Sequence, residues 1–420
     1  MKRKLIHALL GCGLLVSVIT PQAAASAPSE AEPAAGQFAA IPGGDPVANP
    51  SAPVPGPRTA YASTSKADCD ALIASVRAGK RSSYPRTCTS GTVVSAADGN
   101  QPAVDPWPSE CSTGTGTTTP WIATSRRQAC NHEVFGLTVI EVPSGRVLGT
   151  ATFHSVGKLL ASTTMARWAS TTDVWVWSWT GVGFPEWSTG DLAPCPGNCL
   201  GTSVAYTKVN FDSWRGTGNI DPVAMASGRI INDVYGDWNV TFGSSKYGNS
   251  VTFTLTGALS RCDNAIGGRV PGCVFANIPS VVGFSQTTVP EFVNHVYRAQ
   301  VSGLPGRLST GTYLTRLTDQ TKINANGATA CPSSIPRPTG KSCDEYPFRS
   351  TNQGASTGGS AVARSFPDCQ MPDPQRTGAT GFSRCFIIAG QNSSAGGTLG
   401  GFYANERMLQ GDPFQVGYLP

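Results

Sequence analysis

Over much of this chain apolar residues fall in short runs divided by turn residues. Phe135–Val142 and Arg146–Phe153 are apolar stretches divided by Pro143-Ser144-Gly145, a turn signal. Val174-Trp175-Val176-Trp177-Ser178-Trp179, Ile230–Tyr235, Trp238–Phe242 and Ser250–Leu255 continue the series, with turn residues between them. Such spacing predicts an all-β, sandwich-like region over about residues 100–300. One short helix is expected at Lys66–Gly79, where Leu72, Ile73 and Val76 share a face.

Period-two alternation puts Trp175, Trp177 and Trp179 on one face of their strand. Two readings follow. The three rings form a wall of the sandwich core, or they form a stacking platform for a ligand.

Composition supports many strands and turns. The chain has 420 residues, with 48 Gly, 32 Pro and only 14% charged residues. This is no coiled-coil composition, and 40% hydrophobic residues suffice for a real core. The formal charge of +5 includes Lys2, Arg3 and Lys4, so it neither announces nor forbids a nucleic-acid partner. Those three residues, the apolar run Leu5–Ile19 and Ala23-Ala24-Ala25 read as a secretory signal peptide over 1–25. The Pro- and Ala-rich stretch 26–64 reads as a linker. Cleavage leaves twelve of the thirteen cysteines. An even number in an exported chain predicts disulfides. Pairing consecutive cysteines gives six short loops, including Cys331–Cys343 and Cys369–Cys385.

Most catalytic templates fail. No phosphate-binding Gly-rich loop ending in Lys-Ser/Thr is present. His132-Glu133 does not continue as a zinc motif, because position 136 is Gly. The mature histidines His132, His154 and His295 read as ordinary core or surface residues. The last 120 or so residues differ. Thr318 or Asp319 can cap a short helix through Ile323–Asn326. Carboxylates are sparse here, so Asp344-Glu345 and Glu406 stand out, each with an amide or an arginine nearby in sequence. That grouping suits a divalent cation and a phosphate-bearing substrate.

Residues 304–418 resemble the NucA/NucB family of secreted bacterial deoxyribonucleases. The resemblance rests on Cys343-Asp344-Glu345-Tyr346-Pro347-Phe348. Around it stand Arg316-Leu317-Thr318-Asp319, an Asn before a Gly-Gly helix, and Gly411-Asp412-Pro413-Phe414. It implies a small ββα-metal nuclease acting on DNA, with Asp344 where many relatives of that fold carry a histidine base. Glu345 is the second catalytic candidate. Opposite faces of a strand allow only one of the two into a site, and the family pattern selects Asp344. The implied metal, Mg²⁺ or Mn²⁺, would rest on Glu406 with Asn392 or Asn405. Arg316 and Arg349 are the candidate phosphate contacts.

The expectation is α+β overall, with a β-rich domain at 65–300 followed by the nuclease domain at 301–420. The function expected is a secreted, metal-dependent endonuclease of low sequence specificity. The alternatives are a non-enzymatic binding protein using Trp175, Trp177 and Trp179, and a nuclease toxin against competitors.

Overall fold

Long two-sided strands build the first part of the molecule, and their apolar faces meet across a layer of aromatic rings. The computed structural model describes residues 52–53, 60–94, 119–308 and 310–420, all within one compact unit, Ala35–Pro420. The expected signal peptide and most of the expected linker lie outside the described residues. The architecture is α+β and mostly β, with several sheets and, among the described residues, four α-helices.

The first body contains β1 (Ala52–Pro53), β2 (Tyr61–Ala62), α1 (Lys66–Arg77), β3 (Thr87–Val94), β4 (Thr119–Ser125), β5 (Gln128–Glu141), β6 (Val147–Ala161) and β7 (Trp168–Gly181). It continues through β8 (Trp187–Pro194), β9 (Cys199–Asn210), β10 (Ser213–Pro222), β11 (Ile230–Val234), β12 (Gly236–Gly243), β13 (Val251–Leu255), β14 (Ser260–Asp263) and β15 (Gly272–Val274). A large sheet runs β1-β4-β5-β6-β7-β10-β9, with β3 also on β5. A smaller sheet, β2-β13-β12-β8, packs on it. Phe153 of the large sheet meets Phe242 of the small one at 4.2 Å, and Phe135 meets Phe253 at 4.4 Å. Each buried Phe contributes about 2–3 kcal/mol through lost apolar surface.

The three tryptophans of β7 do not share a face. Val174 and Val176 point into the core, while Trp175 lies on the outer side against His154. A bulge then interrupts the pairing with β6: Phe153 opposes Val176, but Thr152 opposes Ser178. Directly opposed residues point the same way, so Trp179, opposite the core residue Ala151, has crossed to the other face. The extra residue Trp177 resets the alternation. Both expectations for these rings, core wall and common platform, are corrected by that bulge.

The second body contains β16 (Ser280–Ser285), α2 (Pro290–Val301), β17 (Leu314–Thr315), α3 (Gln320–Ala330), β18 (Lys341–Tyr346), β19 (Ala363–Arg364), β20 (Phe382–Ile388), α4 (Ala389–Asn405) and β21 (Pro413–Leu419). Its two sheets run β16-β21-β17 and β18-β20-β19. Residues upstream of the boundary expected at 301 also belong to this body. Val282, Phe284, Phe292, Val293, Val296 and Ala299 belong to the second core, and β16 pairs in parallel with β21 along its whole length. Pairing so distant in sequence leaves no local signal.

Five disulfides join consecutive cysteines among the described residues: Cys69–Cys88, Cys195–Cys199, Cys262–Cys273, Cys331–Cys343 and Cys369–Cys385. Cys111, the expected partner of Cys130, lies outside the described residues. No helix among them is long and apolar enough to cross a membrane.

Candidate active site

Asp344 sits on the best-anchored strand of the second body. Its chain neighbour Cys343 is bound to Cys331 at the end of α3. Its cross-strand partner on β20 is Cys385, which is bound to Cys369. Each closed loop contributes about 3 kcal/mol by restricting the unfolded chain. The two bridges thus fix the backbone on both sides of the carboxylate.

Three elements enclose the Asp344 face of β18. α2 begins with Pro290 at its first turn, carries Arg298 in its last, and buries Phe292, Val293, His295, Val296 and Ala299. His295 Nδ1 lies 2.6 Å from Asp344 Oδ2, with side-chain exposures of 0% and 6%. His295 Nε2 lies 3.0 Å from the hydroxyl of Ser383 on β20. That hydroxyl is 3.3 Å from the carbonyl of Tyr346. Ser383 is fully buried, so this Asp-His-Ser chain offers no accessible nucleophile. Among the described residues Asp344 Oδ1 has no hydrogen-bond partner, and the side chain keeps 6% exposure, so one edge of the carboxylate remains available. At the start of α4, Asn392 donates its side-chain amide to Ser342 Oγ at 2.9 Å and to the Cys343 carbonyl at 3.2 Å.

Glu345 points the other way, as alternation requires. It is half-buried, and loss of water around its carboxyl pushes its pKa up to about 8. The charge of Asp344 adds to the rise, while Arg349 opposes it. Arg349 is exposed and so remains open to a phosphate. Arg316 is engaged instead. Its guanidinium lies 4.0 Å from the centre of the Tyr403 ring, and Nη1 donates to the carbonyls of Leu317 and Ser350.

Of the expected metal donors, Asn392 stands apart from Asn405 and Glu406. At about 1.5 Å per residue, Asn392 and Asn405 stand about 20 Å apart along the axis of α4. Asn405 accepts a hydrogen bond from Arg269 of the first body at 2.9 Å. Glu406, at the C-cap, is paired with Arg127 of the first body at 2.7 Å. Neighbouring charges complete this junction. Arg407 is buried and donates to Asp263, Thr163 and Val270. Asp412 accepts from Arg126 and Arg261, both at 2.7 Å. The Asn405–Asp412 segment therefore ties the two bodies together, with the expected metal donors Glu406 and Asn405 both engaged there. Among the described residues, no group of three or more His, Cys, Asp and Glu is placed to hold a metal.

The sequence reading missed His295. It lies upstream of the segment carrying the resemblance, and a single histidine gives no local signal of its distant partner. Only its place on the apolar face of α2, two residues beyond Val293, hinted that it is buried.

Residues 313–417, about a quarter of the chain, match the family Deoxyribonuclease NucA/NucB. The matched segment contains Asp344, Ser383 and α4, and begins downstream of α2 and His295. No curated protein and no solved structure matches the chain.

Proposed function

From a chain that carries a C-terminal NucA/NucB deoxyribonuclease domain, and so a DNA-hydrolysing nuclease, we propose an exported endonuclease of low sequence specificity that uses Asp344 as its base. The observation that supports this assignment is the half-satisfied carboxylate: one oxygen held by His295, the other left free. Asp344 Oδ1 takes a proton from a water molecule. The water oxygen forms a bond to phosphorus, and one phosphorus–oxygen ester bond breaks. The departing oxygen takes a proton from solvent, and Asp344 returns its own to solvent, so the enzyme is regenerated. Glu345 is the poorer base, because a group of pKa about 8 is mostly protonated at pH 7.

Low specificity fits the outer face of α4. Gly396, Gly397 and Gly400 face open space there, and the exposed side chains among them are the short hydroxyls Ser393, Ser394 and Thr398, without an Arg, Asn or Gln to read base edges. Arg349 is the candidate phosphate contact, being the exposed one of the two arginines. Five disulfides fit export into an oxidising compartment. Divalent-metal dependence belongs to this reading on chemical grounds, since a cation neutralises charge on the phosphate. Glu406 and Asn392, at opposite ends of α4, do not fit one ion, and no step is routed through it. Asn392 is the expected donor that stands beside the strand of Asp344.

The test is plasmid degradation by the oxidised, purified protein with Mg²⁺ or Mn²⁺, and then with EDTA. Asp344→Asn is expected to lower kcat by about 10² or more, the usual scale for a general base, with little change in Tm. Cleavage by Asp344→Asn at the wild-type rate would refute the assignment of the base. Absence of cleavage by the wild type under every metal condition would refute the enzyme reading for the intact chain.

A further inference from the structure

We infer that His295, from a helix outside the family-matched segment, is a positioning residue for hydrolysis, setting which oxygen of Asp344 faces the water. The inference rests on the assignment of Asp344 as base. Its geometry begins with a contact of 2.6 Å between His295 Nδ1 and Asp344 Oδ2. An ionised carboxylate only accepts hydrogen bonds, so Nδ1 carries the hydrogen in this pair. Both neutral imidazole with Nδ1–H and imidazolium satisfy that requirement.

The rest of the ring is held as firmly. Nε2 meets Ser383 Oγ at 3.0 Å, and Ser383 is opposite Tyr346 across the β18–β20 pair. The imidazole is thus gripped at both nitrogens and cannot turn without breaking two contacts. Phe366 covers it at 6.2 Å between ring centres. His295 itself has no exposed surface on its side chain, so it touches neither substrate nor water. Its influence must pass through Asp344.

Consider the carboxylate without this contact. Asp344 would keep its backbone place between the Cys331–Cys343 bridge and Cys385. Its terminal torsion, however, is broad and roughly two-fold, so the two oxygens would exchange roles. A base must lie within about 2.6–3.2 Å of the oxygen whose proton it takes, and a displacement of about 1 Å can cost 10²-fold in rate. Pinning Oδ2 removes that freedom and leaves Oδ1 as the acceptor. A buried donor beside a carboxylate that is otherwise unpartnered acts on orientation first.

Two amide variants separate the two ends of the ring. Asparagine at 295 places its amide near the Nδ1 position, within reach of Asp344. Glutamine places its amide near the Nε2 position, within reach of Ser383 but not of Asp344. Both are polar, so their costs in stability should be similar by thermal unfolding. His295→Asn is expected to keep kcat within about threefold of wild type, and His295→Gln to lose about tenfold or more. KM for DNA should be unchanged in both, because neither residue meets substrate. Equal kcat in the two variants, or a loss carried by KM, would overturn the inference. Asp344→Asn distinguishes the underlying reading. If it abolishes cleavage while the two His295 variants match each other, the base stands and the positioning role fails. If it cleaves normally, both fail together.

Discussion

Two buried carboxylates in this protein are treated in opposite ways. Asp412, at the junction of the bodies, has both oxygens taken: Oδ1 by Arg261, and Oδ2 by Arg126, Arg261 and the amide of Leu409. Asp344, inside the second body, has one oxygen taken and one free. Asp412 stands in the turn before β21 and pairs with two buried arginines, whereas Asp344 stands on β18 and pairs with a buried imidazole. The difference lies in the remaining valence. A saturated carboxylate can only hold things in place, whereas one with a spare lone pair can also accept a proton. Perturbed or buried charge alone does not mark chemistry.

That contrast predicts its own tests. The largest effect belongs to the junction. Asp412→Ala leaves Arg126 and Arg261 without their shared acceptor, and is expected to destabilise by about 3–5 kcal/mol in calorimetry or denaturant unfolding. A loss below about 1 kcal/mol would show that the junction is not a unit of stability. Asp344→Asn should do the reverse, removing activity while leaving Tm nearly intact, and so sharpen the division.

A smaller effect appears with pH. Glu345 in the second body and Glu133 in the first are both raised to about 8, mainly by burial. Glu133 Oε2 also lacks a partner, and the charge of Asp237 adds to its shift. A folded-state pKa above the unfolded value means that the folded chain binds more protons. The stabilisation is complete below about pH 4.5 and is lost as pH rises through about 8. Tm should therefore decline over that window. Glu133→Gln and Glu345→Gln should each flatten the decline, and curves parallel to wild type would refute the assignment of these groups.

The smallest effect is expected at Glu406. Its pair with Arg127 is partly exposed, with side-chain exposures of 17% and 30%, so Glu406→Gln should cost at most about 1 kcal/mol. The Mn²⁺ concentration for half-maximal cleavage should not move. A shift of that concentration, recovered by excess Mn²⁺, would restore Glu406 as a metal ligand and break the comparison.

How much of this could be read in the sequence depends on distance along the chain. The hairpin of β5 and β6 was legible because apolar runs flank Pro143-Ser144-Gly145. Strands β8 and β10 were not, since Trp187–Pro194 and Ser213–Pro222 are rich in Gly, Ser and Thr and carry weak alternation. The helix cap at Asp319 was one of two options, and its side chain accepts from Thr321 and Lys322. Asp344 stood out by its motif, but His295 required knowledge of a contact 49 residues away. Trp179 defeated period-two reasoning because a single bulge reverses the side on which every later residue points. Glu406 pairs with Arg127 of the first body, because a carboxylate near an amide suits a cation, whether that cation is a metal or an arginine.

The parallel pairing of β16 with β21 has a consequence for portability. Family boundaries describe a segment, 313–417, that could be mistaken for a cassette. Cut out at those limits, β21 would lose its last residues and its β16 neighbour, exposing a bare strand edge of the kind that recruits other chains. Arg407 and Asp412 would be left as uncompensated charges, and Asp344 would lose the ring that orients it. The smallest transplantable unit of this nuclease is therefore larger than its motif. A graft onto another scaffold would have to carry residues 280–301 and replace the charges that the first body supplies.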